Sequence, residues 1–137
     1  MTPSHADDEL WLVFYVSRST AAPHTLDTLL ESARRNNAQR GLTGALVFTG
    51  GHFAQVLEGP RAALQQTMQA IEGDDRHEAV RRLLDEALPQ RRFGQWAMGL
   101  VDAPGADDVL QDLLQAAQVP DDRARRLAER LFAGPPR

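Results

Sequence analysis

The chain has 137 residues, of which 42% are hydrophobic and 25% charged, with a net charge of −4; this suits a single soluble domain built round one core. An acidic balance with no block rich in basic residues gives no electrostatic hold on a phosphate backbone, so no nucleic-acid partner is expected. The absence of cysteine removes disulfides, thiol nucleophiles and thiolate metal sites together. His5, His24, His52 and His77 are scattered without the i, i+4 pairing of a metal-binding helix, so no metal is expected either. No apolar run approaches the ~20 residues of a membrane span. The opening MTPSHADDEL is acidic and polar, the opposite of a signal peptide. A cytoplasmic location is the expectation.

LWLVFYVS (10–17) is apolar on both faces and predicts a central buried strand. HTLDTLLESARRNN (24–37) places Leu26, Leu29, Leu30 and Ala33 on one helical stripe, with Thr25 as N-cap and Gly41 just past the end. LTGALVFT (42–49) is a second two-sided strand, and Gly50-Gly51 turns it into an antiparallel partner, HFAQVLEG. Pro60 opens the next helix, striped by Leu64, Met68 and Ile71 and ended by Gly73.

HEAVRRLLDEAL (77–88) fits either a helix or a strand by periodicity. A strand is preferred because it completes a β-α-β-β-α-β order. FGQWAMGLV (93–101) puts Trp96, Met98 and Leu100 on one face and reads as a last strand. After the break at Pro104-Gly105 come two amphipathic stripes, Val109/Leu110/Leu113/Leu114/Ala117 and Ala124/Leu127/Ala128/Leu131. The predicted fold is therefore α+β: a ferredoxin-like βαββαβ sheet over 10–101 with two flanking helices, and a C-terminal two-helix extension at 105–133 packing on the sheet's other face.

Gln55 is the residue that asks for a function. It lies between Phe53 and Leu57 on one face of a strand, and a buried amide without partners costs about 1–3 kcal/mol. Tyr15 by itself reads as a core strand tyrosine, Asn36-Asn37 as a helix end, and Trp96 and Met98 as packing. In combination, Tyr15-x-Ser17, ESARRNNAQRGLTGAL (31–46), FAQVLEGP (53–60), DDRH (74–77) and RRFGQWAMG (91–99) closely resemble the BLUF domains, blue-light sensors that use FAD.

The resemblance implies an oxidised flavin held non-covalently between the two helices: FAD, with FMN or riboflavin as possible forms. It implies that Tyr15 is the electron and proton donor and that Gln55 bridges it to the flavin edge. It also implies that Asn37 and Asn36 lie at the polar end of the ring, that Trp96 and Met98 respond to the glutamine, and that Arg76 and His77 lie near the flavin side chain. Ala70 stands where some members carry a basic residue. An amide suits such a site because it carries donor and acceptor on one plane and can exchange them.

Flavin-dependent redox enzymes are the first rival, but no G-x-G-x-x-G follows a strand. A small hydrolase on a similar sheet would need an anion-cradling loop, and SRSTAAPHT supplies only Arg18. A domain that has lost its photochemistry would not need Tyr15, Gln55 and Asn37 together. The chain resembles the short stand-alone class, whose output passes through self-association or a separate partner protein.

Overall fold

A computed structural model describes residues 9–137; residues 1–8, with His5 and most of the acidic opening, lie outside the described residues. The first strand, β1 (Leu10–Ser19), pairs antiparallel with β3 (His52–Pro60) on one side and with β4 (His77–Ala87) on the other. Strand β2 (Thr43–Phe48) pairs antiparallel with β3, and a short β5 (Gly99–Leu100) runs parallel to β2. The sheet order is β4-β1-β3-β2-β5.

Alternation along the strands divides the core. Val13, Tyr15, Leu46, Phe53 and Leu57 belong to one buried cluster with Leu30, Leu64 and Met68, from helices α1 (Leu26–Arg40) and α2 (Arg61–Glu72). Phe14, Val16, Ala45, Val47, Ala54 and Val56 belong to the other. There they meet Leu110 and Leu113 of α3 (Ala106–Gln115), Ala124 and Leu131 of α4 (Asp121–Leu131), and Phe132. Helices of 10 and 11 residues are marginal in isolation. Each fully buried leucine or phenylalanine contributes about 1.5–3 kcal/mol, and burial against the sheet is what holds them.

The ends of these helices follow particular bonds. Gly41 takes the left-handed conformation (φ 71°), and its N–H and that of Leu42 both donate to the Asn37 carbonyl, closing α1. Thr25 does not act as a side-chain cap. It is the last residue of a 3-10 turn (Pro23–Thr25), and its hydroxyl donates to the Ala22 carbonyl instead. Pro60 is the last residue of β3, and α2 begins one residue later. Helix α3 stops at Gln115, leaving Ala117 outside the stripe assigned to it; Arg81 of β4 donates to the Leu113 carbonyl (2.8 Å) and to those of Ala116 and Ala117.

Two strands explain the ambiguities in the sequence pattern. In β4 the pairing with β1 shifts between Phe14 and Tyr15, so the consecutive Leu83 and Leu84 both join the α3/α4 core. A bulge thus mimics a helical pattern. The expected strand over 93–101 shrinks to Gly99–Leu100, and Trp96 and Met98 lie ahead of it in an irregular segment.

The reason is that side chains take over this backbone. Glu58, almost fully buried, accepts from the N–H groups of Arg92 (2.7 Å) and Phe93 (3.0 Å). Asn37 Nδ2 donates to the Ala97 carbonyl (2.7 Å), and Arg34 Nε donates to that of Met98 (2.8 Å). Acceptors that a ladder would use are already engaged by α1.

Candidate functional site

A cleft opens between α1 and α2 above the sheet face that carries Tyr15, Phe53 and Gln55. Leu29 and Ala33 of α1 and Ile71 of α2 give it apolar walls, with Leu46 and Leu57 in the floor. Asn36 and Asn37 lie along α1, while Asp74, Arg76 and His77 close one end.

Strand register places Tyr15 directly opposite Gln55. The buried tyrosine hydroxyl donates to Gln55 Oε1, and Gln55 Nε2 donates to Met98 Sδ at 3.3 Å. The amide is therefore held between a phenol and a thioether. Thioether sulfur is a weak acceptor, so the amide nitrogen has room for a better one. Burial, followed by the nearby Asp74 charge, raises the Tyr15 pKa far above its ordinary value. The phenol stays a proton donor.

Asn37 is buried, and its Nδ2 is committed to the Ala97 carbonyl, leaving Oδ1 as an acceptor at the cleft. It does not cap the helix; α1 runs three residues further. Asn36 is exposed at the rim. Arg76 is clamped by Asp74 through Nε (3.1 and 3.2 Å) and Nη2 (2.6 Å). The hydrogen-bonded Arg76 holds the Asp74 carboxyl down at about 2.

His77 is lowered to about 4, by burial first and by Arg76 as well, against an opposing pull from Asp74. Its Nδ1 meets Ser17 Oγ at 2.8 Å, and its ring lies 4.6 Å from that of Phe53. Arg76 and His77 thus do not form a pair of free cations. One is neutralised by a carboxylate and the other is uncharged at neutral pH.

The structure separates two residues that the sequence pattern had joined. Met98 belongs to the cleft-side cluster and touches Gln55, whereas Trp96 is partly buried against the cluster under α3 and α4. It also shows cleft residues that the sequence reading assigned no role. Arg40 lines the cleft and donates to Thr67 Oγ1 (3.0 Å), and Asp74 carries the clamp on Arg76. DDRH contained Asp74 in plain view, but its partner two residues on becomes visible only in the folded turn.

The donor set fits an isoalloxazine ring. The apolar walls would suit its faces, and the amides of Asn37 and Gln55, with spare acceptor and donor capacity, would suit its polar edge. The fold is thus an α+β sheet of ferredoxin-like topology with a cleft between two helices that could take a flat ring. The family model described as "BLUF: Sensors of blue-light using FAD" matches residues 10–99. The chain belongs to the BLUF family.

It is 41% identical over 88 residues to the blue light- and temperature-regulated antirepressor BluF of Escherichia coli (strain K12), covering 63% of this chain and 22% of that protein. It superposes on the BLUF protein BlrB in its dark state with a TM-score of 0.74 and 29% identity, covering 93% of this chain and 98% of that one. BlrP1 of Klebsiella pneumoniae, solved with FMN and cyclic diGMP, matches with a TM-score of 0.69 and 33% identity over 90% of this chain and 34% of that one. The chain thus spans about a fifth of the antirepressor and a third of BlrP1. Residues 10–99 form a flavin-based blue-light sensor domain.

Proposed function

We propose that the flavin is FAD, that Tyr15 and Gln55 are the photoactive pair, and that the light signal leaves through the sheet toward residues 105–133. When bound, the oxidised flavin supplies the blue-light absorption and, once excited, an electron acceptor. Tyr15 gives up an electron and its phenolic proton, and Gln55 Oε1, already its hydrogen-bond acceptor, is the nearest group to receive that proton. With the hydroxyl contact released, the amide rotates or tautomerises and gives up its weak bond to Met98 Sδ. Electron and proton then return to Tyr15, so no oxidation persists and only the hydrogen bonds have changed.

Asn37 holds the ring through Oδ1, with Asn36 at the rim and Arg76 and His77 toward the side-chain end. Trp96, on the opposite core, responds only through the backbone that it shares with Met98. The observation that carries this reading is the amide of Gln55, bonded to a phenol on one end and to only a weak acceptor on the other.

FAD is favoured by the family's description, and the FMN in the BlrP1 structure makes FMN the alternative. Mass analysis of the chromophore released on denaturation decides between them. Among the described residues no helix is long and apolar enough to cross a membrane, which supports a cytoplasmic sensor acting on a downstream protein or on a second copy of itself. The central test is absorption under blue light. A reversible red shift of an oxidised flavin spectrum is expected, and an unchanged spectrum would end the proposal.

A further inference from the structure

Strand β5 lies at the edge of the sheet, and its outer side is covered by the chain's own residues 134–137. Leu100 N–H donates to the Arg137 carbonyl and Arg137 N–H to the Leu100 carbonyl, each at 3.0 Å. Such a reciprocal pair is one rung of an antiparallel ladder. Pro135 and Pro136 have no N–H to donate, so the rung cannot propagate toward them.

Two further features fix the segment. Pro136 lies over Gly99 so closely that a Cβ on the glycine would fall 2.4 Å from the proline Cβ. Arg34 of α1 divides its guanidinium, with Nε on the Met98 carbonyl and Nη2 on the Arg137 carbonyl, both at 2.8 Å. The ion pair between Arg137 and Asp102 is widely exposed and adds little.

We propose that the outer edge of β5 is a strand-docking site for an extended, proline-containing peptide, that residues 134–137 are its occupant, and that Arg34 ties their grip to the position of Met98. One rung backed by a shared arginine makes an attachment that can open without disturbing the core. The light dependence rests on the proposed loss of the contact between Gln55 and Met98; the docking site in the dark does not. Opened, the edge presents an unpaired N–H and carbonyl at Leu100 to a partner strand.

The test is amide exchange at Leu100 and Arg137 in the full flavin-loaded chain. In the dark both amides should exchange more than about tenfold slower than unprotected ones. Gly99→Ala and, independently, Arg34→Gln should speed both amides while the flavin spectrum stays unchanged. Illumination should speed them in step with the red shift. Unprotected amides in the dark, or protection that survives both substitutions, would overturn the docking site. Protection that grows with protein concentration would overturn the intramolecular occupant in favour of a second copy. A red shift with unchanged protection would overturn the link through Met98. A missing red shift would sink the proposed switch instead, with the dark comparison still deciding the docking site.

Discussion

Tyr15 and Gln55 meet because neighbouring strands bring them into register, each from the same face of a two-sided sheet. Tyr15→Phe keeps the ring volume but removes the donor to Gln55 Oε1, at a cost of about 1–3 kcal/mol for the amide oxygen left behind. Flavin should be retained and the red shift abolished, as absorption and urea unfolding of the same sample would show. Gln55→Leu should also abolish the shift, with flavin still bound.

His77 gives a separate, acid-side prediction. Its folded pKa is about 4, below the ordinary 6.5. As pH falls through 6.5 the unfolded chain takes up a proton that the native chain refuses until about 4. Stability therefore falls across that window and is unaffected by His77 above it. One proton corresponds to at most about 1.4 kcal/mol per pH unit, and partial exposure of the ring reduces this. Asp74, held at about 2 by Arg76, contributes stability that is fully present above its ordinary 3.8 and is lost as pH falls from there through 2, so the two windows are separable. Urea midpoints at pH 7.5, 5.5 and 4.5 should fall in the parent protein and flatten in His77→Phe.

At the scale of elements, much of the fold could be read from sequence because each segment's apolar pattern matched the face it buries. Leu110 and Leu113 of α3 show this, both buried against the sheet, whereas Val109, which the pattern places on the same stripe, is exposed because it lies beyond the edge of the buried face. Leu113→Ala should accordingly cost about 2–5 kcal/mol, and Val109→Ala within about 0.5 kcal/mol of nothing, measured by chemical denaturation. What escaped the pattern was backbone controlled by distant side chains. Nothing in FGQWAMGLV announces that Asn37 and Arg34, some 60 residues earlier, take the carbonyls of Ala97 and Met98, so alternation there was read as a long strand. The candidate site divides the same way. Tyr15, Gln55 and Asn37 stood out through a family resemblance, whereas the Asp74–Arg76 clamp and the opposite placements of Trp96 and Met98 depended on loop geometry. Asn37→Ala removes both the Oδ1 acceptor and the anchor of Ala97. It should weaken flavin retention on a desalting column and also raise exchange at residues 96–98, a pairing that loss of a ring contact alone would not give.

On the scale of the whole molecule, the sheet is a wall between two cores, and any signal from the cleft has to cross it or go round its edge. The direct crossing is short. Ala54 and Val56 flank Gln55 in the chain and face the α3/α4 core, and Phe14, next to Tyr15, meets Phe132 edge-on at 6.2 Å. Helix α3 and the end of α4 are further tied to the framework by Arg81 at the α3 carbonyls and by Arg92 at the Phe132 carbonyl (3.0 Å). Adjacency alone is not coupling, but here the two routes can be separated by experiment. Hydrogen exchange across residues 106–131 should increase in light in the parent chain and stay at its dark value in Tyr15→Phe. In Gly99→Ala, whose new Cβ would clash with Pro136 and only touch Trp96 at an ordinary 3.5 Å, the light-induced increase should persist if the signal crosses the sheet. Its loss in that variant, with the red shift intact, would route the signal round the edge through Arg34. Equal exchange in light and dark for all three proteins would leave α3 and α4 as a static cover on the sheet.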